Sequence, residues 1–278
     1  MNETHCFPTH QAQLSISLVT YHPDEPMLRD TLASLRVALA HAQAIGVIGR
    51  AWLVLVDNGD DAGLDELVRA SGWDDFSIVS GHGNVGFGRG HNLALELGTG
   101  DLHLVLNPDV YLQPDALSAA SLFMAEKPEC VLLSPAILGV ENGWHFLCKR
   151  YPSMFDLVLR GFFPHLGRRF FARRLARYEM LESSGQTVLW DPPIVSGCFM
   201  LMRASVLREV RGFDPDYFLY FEDFDLSLRA ALHGRIAAVS DVRIAHFGGG
   251  AGQKGWKHVR MFCRSGMQFF NRHGWRIV

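Results

Sequence analysis

Three acids stand close together at Glu222-Asp223-Phe224-Asp225, directly behind a Gly-Phe-Asp turn and the aromatic run Tyr217-Phe218-Leu219-Tyr220-Phe221. Acids in the first turn of a helix favour its macrodipole, and Asp225 with Arg229 makes a four-apart pair worth only ~0.2–0.5 kcal/mol on a surface. Neither effect accounts for two adjacent carboxylates in an aromatic setting. There, partial desolvation raises a carboxylate pKa and makes it a better proton acceptor. Asp223 is the expected general base and Glu222 the second candidate. Far upstream, Asn107-Pro108-Asp109 closes the apolar run LHLVL, so another carboxylate sits where a strand gives way to a turn. A divalent cation on Asp109, Mg2+ or Mn2+, would bridge diphosphate oxygens and stabilise charge on a departing nucleoside diphosphate. A purely structural turn aspartate is the competing explanation. His246 ends another apolar run beside Gly248-Gly249-Gly250 and offers a second ligand or a phosphate contact. One metal-like acid and one base-like acid point to group transfer from an activated donor.

In open α/β sheets, ligands bind beyond the carboxyl ends of the strands. Thr20-Tyr21, Asp57-Asn58, residues 83–87 and residues 107–109 each follow an expected strand. Tyr21 offers a flat surface to a base, and Asp57 could accept from the imide N–H of uracil or thymine. The alternative for Asp57-Asn58-Gly59-Asp60 is a turn with a helix cap. Residues 81–86 match G-x-G-x-x-G, which raises a dinucleotide-dependent oxidoreductase as a rival. That fingerprint belongs to the first strand–helix turn of its unit, whereas this one follows the third strand. Its physical content survives: glycine N–H groups near a helix start approach an anionic diphosphate closely, and Arg89 or His91 could add charge.

The elements that must position these groups read as α/β. Short apolar runs at residues 16–20, 52–56, 76–80 and 102–106 predict parallel strands buried on both faces. Leu28, Leu32, Leu35 and Leu39 predict a helix between the first two. Further helices are expected at 64–70, 92–97 and 115–125. After Pro135 the character is mixed. Residues 144–152 read as irregular, 154–181 as an Arg-rich and aromatic-rich helical stretch, and 195–202 as one strand. A helix at 223–233 stopped by Gly234, strands at 236–239 and 242–245, and a last helix at 256–270 complete the pattern.

With 278 residues, 48% of them hydrophobic, the chain can bury a sizeable core, and one domain is expected. A net charge of −3 gives no global attraction to nucleic acid, and no nucleic-acid motif is present. Five scattered cysteines without C-x-x-C spacing argue against a zinc site or a disulfide framework and suit a reducing cytoplasm. No apolar run approaches membrane-spanning length, so a soluble or peripheral protein is expected. One basic patch stands out: residues 160–177 interleave Arg168, Arg169, Arg173, Arg174 and Arg177 with Phe162, Phe163, Leu166, Phe170, Phe171 and Leu175. It reads either as an interfacial helix on an anionic membrane or as a solvated arginine face.

The segments LVTYHP, LVDNGDD, GNVGFGRGHNLAL, LVLNPDVYL, SGCFMLMR and GFDPDYFLYFEDFDLSLR, with the strand end at His246, together resemble the inverting family-2 glycosyltransferases, and within them the bacterial rhamnosyltransferase-like branch. The resemblance implies a GT-A fold: a single Rossmann-like, mostly parallel central sheet flanked by helices, with a mixed second half. Residues 14–110 would hold the nucleotide sugar and residues 111–278 the acceptor. It further implies that Thr20, Tyr21 and Asp57 hold the base, that Asn84, Gly86, Phe87 and Asn92 shape the donor pocket, and that Asp223 is the base. Asp109 takes the place of the last acid of the metal-binding D-x-D motif, with Asn107 in the first position, and His246 that of a metal- or phosphate-contacting histidine. With His91 where many relatives carry arginine, diphosphate neutralisation would fall to Arg89, Lys257 or Arg264. The implied donor is dTDP-rhamnose, with UDP-hexoses or UDP-galactofuranose behind it. The implied acceptor is a growing surface glycan, lipid-linked or on a lipopolysaccharide core.

Overall fold

The computed structural model describes residues 11–138, 144–161, 163–183, 185–247 and 255–278. Four parallel strands open the sheet: β1 (Ala12–Thr20), β2 (Ile48–Asp57), β3 (Phe76–Val79) and β4 (Leu102–Leu106). They are linked through α1 (Glu25–Ala44), α2 (Leu64–Ala70) and α3 (Phe87–Glu96). Asp24 caps α1 by accepting from the Met27 N–H, and the predicted Leu28, Leu32, Leu35 and Leu39 all turn into the core. The order β3-β2-β1-β4 places a topological switch point between β1 and β4, where such sheets open a crevice at their carboxyl edge. β3 departs from the expectation of two buried faces: it is the edge strand and none of its residues is fully buried.

The sheet continues through β5 (Val110–Leu112), β6 (Cys130–Leu138), β11 (Phe199–Arg203) and β12 (Arg235–His246) in the order β4-β11-β6-β12-β5, with α4 (Ala116–Glu126) packed on β12. β11 runs antiparallel to β4 and β6, while β12 is parallel to β6 and antiparallel to β5. The expected pair of strands at 236–245 is one strand, because its register against β6 shifts between Val239 and Arg243 without breaking the ladder. Residues 144–152 are not irregular: β7 (Trp144–Phe146) pairs with β6, and β8 (Cys148–Lys149) pairs with β10 (Ile194–Val195) in a separate two-stranded sheet. The expected strand at 195–202 is therefore two strands in different sheets, parted at Ser196-Gly197-Cys198.

The long helical stretch divides into α5 (Met154–Gly161), α6 (Pro164–Phe170) and α7 (Ala172–Tyr178). β9 (Val188–Trp190) pairs with β12, α8 (Ala204–Glu209) follows β11, and α9 (Glu222–Ala230) and α10 (Gly255–His273) close the second half. Among the described residues no helix is long and apolar enough to cross a membrane.

Candidate active site

Three loops meet at the carboxyl edge of β1, β2 and β3, and carboxylates tie them together. Asp57 accepts from the Gly59 N–H at 2.9 Å and the Asp61 N–H at 2.6 Å, while Asp60 accepts from the Gly81 N–H at 2.7 Å. Asp61 takes the His22 N–H at 3.0 Å and lies 2.8 Å from His22 Nδ1. Asn58 donates to the Gly86 carbonyl at 3.1 Å. The turn reading and the binding reading of Asp57 thus meet in one residue: its carboxylate organises the loop from a buried position. Asn58 and Asp60 belong to the expected turn, whereas Asp61 lay outside it, although the same run of Asn, Gly and Asp is the signal that could have shown it. Thr20 is buried, with its hydroxyl turned to the Val56 carbonyl, while Tyr21 is 57% exposed beside these loops. The sheet edge offers a flat ring to a ligand through Tyr21 alone of this pair.

The loop before α3 is held against the second half of the chain. Asn84 accepts from the Gly86 N–H, and Gly86 adopts φ +91°, where a Cβ would overlap the Phe218 carbonyl oxygen. That carbonyl accepts from the Phe87 N–H at 3.1 Å. Both ends of the Asn92 amide bond the Phe213 backbone, at 2.7 and 2.9 Å, so Asn92 pins the Gly-Phe-Asp turn to α3. Arg89 is exposed and donates to the Pro215 carbonyl. His91 cannot add charge: it is fully buried, its Nδ1 is 2.7 Å from Ser17 Oγ, and burial holds its pKa well below the ordinary value. Ser17 also contacts His103 Nε2 at 2.8 Å, making a neutral polar chain inside the sheet. Arg264 is exposed on α10, in a cleft with Asp216 and Asn271 that includes neither Asp109 nor Asp223, and Lys257 is exposed near the start of the same helix.

Asp109 and His246 meet because β5 begins one residue after Asp109 and pairs Val110 with His246. Asp109 Oδ1 lies 3.2 Å from His246 Nε2, near enough for an ion pair if the imidazole is protonated, yet neither atom has a properly directed hydrogen bond. Asn107 Oδ1, in the same turn as Asp109, is a third buried polar atom without a partner. Two oxygens and one imidazole nitrogen suit Mg2+ or Mn2+, and orphaned buried acceptors are what a bound cation would satisfy. Among the described residues no three His, Cys, Asp or Glu side chains converge as a metal-binding group. Gly248-Gly249-Gly250 lies outside the described residues.

Asp223 reaches this corner from the other side. Its carboxylate accepts from the Gly197 N–H and the Phe224 N–H, both at 3.0 Å. The next residue, Cys198, accepts from the Asn107 N–H at 2.9 Å through its carbonyl. A Cβ on Gly197 would come within 3.2 Å of the Asp223 Cβ and 3.4 Å of the Phe87 ring. The break between β10 and β11 therefore carries a direct backbone path from Asp223 to the Asn107-Pro108-Asp109 turn, with Phe87 as its floor. Tyr220 and Phe221 precede the acids at φ +72° and +66°, a strained pair for non-glycine residues that aromatic packing on Phe262 and Phe269 holds in place.

Burial raises the Asp223 pKa, and the Lys149 ammonium, absent from the sequence expectations, opposes that rise. Asp223 is half-buried by area, open enough to meet a substrate while surrounded densely enough to lose solvation. Glu222 is more deeply buried, has an unpartnered Oε2, and is pushed up to about 8 by burial and then by Asp223. Adjacent acids with different environments can divide their roles, one ionised and one neutral. Asp225 corrects the surface-pair expectation. It is fully buried, accepts from Arg229 at 2.7 Å, and lies 2.8 Å from His273 Nε2, which locks α9 to α10.

Residues 13–262 match the family described as Glycosyltransferase like family 2. An N-acetylglucosaminyl-diphospho-decaprenol L-rhamnosyltransferase of Mycobacterium tuberculosis is 29% identical over 249 residues, covering 84% of this chain and 75% of the relative. Rhamnosyltransferase WbbL of Escherichia coli is 24% identical over 228 residues, 78% of this chain and 76% of the relative. Among solved structures, the mannosyltransferase PcManGT of Pyrobaculum calidifontis with GDP-Man and Mn2+ superposes with a TM-score of 0.59 at 18% identity, over 94% of this chain and 66% of that one. A fragment of S. aureus TarS with UDP gives 0.55 at 17%, over 90% and 64%. The chain spans less than two thirds of either solved chain, and both share its α/β GT-A fold. Fold, strand-end corner and a match over nearly the whole length agree: the chain belongs to glycosyltransferase family 2, the enzymes that transfer a sugar from a nucleotide donor.

Proposed function

We propose that this enzyme is an inverting rhamnosyltransferase that moves rhamnose from dTDP-rhamnose to a hydroxyl of a lipid-linked saccharide. The observation that supports the mechanism is the backbone path from Asp223 through Gly197 and Cys198 to Asn107, two residues before Asp109. Asp223 accepts the proton of the acceptor hydroxyl as its oxygen bonds to the anomeric carbon and the bond to the nucleoside diphosphate breaks. Attack from the face opposite the nucleotide inverts the configuration. Tyr21 stacks on the base, and the loop organised by Asp57 and Asn58 shapes its edge. Asn107, Asp109 and His246 would hold Mg2+ or Mn2+, which when bound neutralises charge on the leaving diphosphate.

The rhamnosyl donor and the lipid-diphosphate acceptor are supported by the relatives' printed activities. A screen of dTDP- and UDP-sugars scored by nucleoside diphosphate release tests the donor: dTDP-rhamnose should give the highest rate, and preference for a UDP-hexose or UDP-galactofuranose would move the assignment to that sugar. Asp109→Ala should weaken donor and Mn2+ affinity together, each by at least about tenfold. Unchanged affinities would remove Asp109 from the metal corner. A lipid-linked acceptor also gives residues 160–177 a role against an anionic membrane. Phe163, Leu166 and Phe170 are exposed there, and Arg168, Arg169, Arg173 and Arg177 alternate with them. Sedimentation with phosphatidylglycerol vesicles, lost on Phe170→Ser with Arg169→Ser, is the expected result; retention by the double variant would place membrane contact elsewhere.

A further inference from the structure

Lys149 is the second residue of the two-residue strand β8, and its register partner is Ile194 of β10. Directly paired antiparallel residues present their side chains on the same face, and Ile194 belongs to the apolar cluster containing Tyr178 and Phe224. The Lys149 Nζ sits 4.9 Å from the centre of the Phe224 ring, next to Asp223 in the chain. Of the acids that act on it, Glu179 is engaged with Arg160 at 3.3 Å, and Asp223 accepts from the Gly197 and Phe224 N–H groups. A half-buried ammonium is thus held over an aromatic face with no carboxylate in ion-pair contact among the described residues. Tyr178 of α7 is the second polar group of the same cluster, 3% exposed, with a hydroxyl that has no hydrogen-bond partner. The Asp223 charge acts on both side chains. An unpaired cation and an orphaned hydroxyl beside a general base are two unmet donors where a hydroxyl-rich molecule has to bind.

Asp109 reaches the corner through the main sheet, whereas Lys149 reaches it through the separate β8–β10 ribbon. We propose that Lys149 and Tyr178 form the subsite for the acceptor sugar, donating hydrogen bonds to its oxygens so that the attacking hydroxyl lies against Asp223. This rests on the glycosyl-transfer reading above and adds to it the residues that select and orient the acceptor. Lys149 also places positive charge near the Asp223 carboxylate, which favours the ionised form needed to accept a proton.

The test uses the full chain with dTDP-rhamnose and an N-acetylglucosaminyl-diphospho-alkyl acceptor, and measures both KM values for Lys149→Met, Lys149→Arg and Tyr178→Phe. Losing a charged hydrogen bond should raise the acceptor KM about tenfold or more in Lys149→Met, and losing a neutral one severalfold in Tyr178→Phe. Lys149→Arg should restore most of the loss, and the donor KM should stay within about twofold throughout. An unmoved acceptor KM overturns the subsite, as does a rise in the donor KM instead, or a change confined to the pH dependence of kcat. Should Lys149→Met fail to fold, Tyr178→Phe decides alone by the same criterion. No release of dTDP by the wild type defeats the rhamnosyl reading, and the subsite is then judged with the nucleotide sugar the wild type does cleave. Donor cleavage without transfer to this acceptor overturns the subsite and leaves the donor reading intact.

Discussion

The loop hub at the end of β2 and the start of α9 are both rich in acids, and they treat them in opposite ways. Asp57, Asp60 and Asp61 accept four backbone N–H groups between them and join three loops. At α9, Glu222 is buried with an orphaned oxygen, and burial raises the pKa of Asp223 although it accepts two backbone N–H groups. The hub carboxylates tie loop to loop through fixed amides, whereas at α9 loss of solvation raises the affinity of the carboxylates for a proton. Asp225 shows the distinction within a single helix turn, since Arg229 and His273 engage its carboxylate while that of Asp223, two residues earlier, faces the Gly197 backbone.

The comparison can be broken most forcefully at Asp225. Asp225→Ala removes the buried anion from between the half-buried Arg229 and His273 and should lower unfolding free energy by about 3–5 kcal/mol, read from urea midpoints. A loss under about 1 kcal/mol would mean the network is not the lock between α9 and α10. On the scaffolding side, Asp57→Ala leaves two loop amides unpaired and should cost about 1–3 kcal/mol. Its turnover at saturating donor should remain within about threefold of wild type, whereas a collapse of kcat would erase the contrast with α9.

The smallest expected effect concerns pH. Folded Glu222 binds its proton more tightly than the unfolded chain does, so the folded state holds the extra proton between the ordinary value of 4.5 and about 8, and stability falls as pH rises through that window. The buried histidines work with the opposite sign: His103 is lowered from 6.5 to about 3, so stability is lost as pH falls below 6.5 and this contribution is complete above it. Between about pH 7 and 8 the histidine contribution is complete while the Glu222 slope remains, and Glu222→Gln should flatten it. An unchanged slope in that variant would show that Glu222 ionises in the fold as it does in water.

The first half of the site was legible because its signals are local. Buried strands announce themselves as apolar runs, and the residue after each run is the one at the sheet edge, which is how Thr20, Asp57, Asn107 and Asp109 could be placed. The second half depends on contacts across the chain that periodicity does not encode. VSGCFML reads as one apolar strand, yet it breaks at Gly197 because that residue has to pass under Asp223 and Phe87. Asn92 and His91 looked like donor-pocket residues from their glycine-rich neighbourhood, and only tertiary packing turns one to Phe213 and the other to Ser17. Lys149 lay on a two-residue strand too short for any pattern, so nothing local marked it as the cation near the base.

The central claim is that Asp223 takes the acceptor proton, and the rate of sugar transfer by Asp223→Asn at saturating donor tests it most directly, with donor affinity measured on the same preparation. A fall of about 10²- to 10⁴-fold in turnover with donor affinity kept is the predicted result. Turnover close to wild type would contradict it and remove the base from this corner.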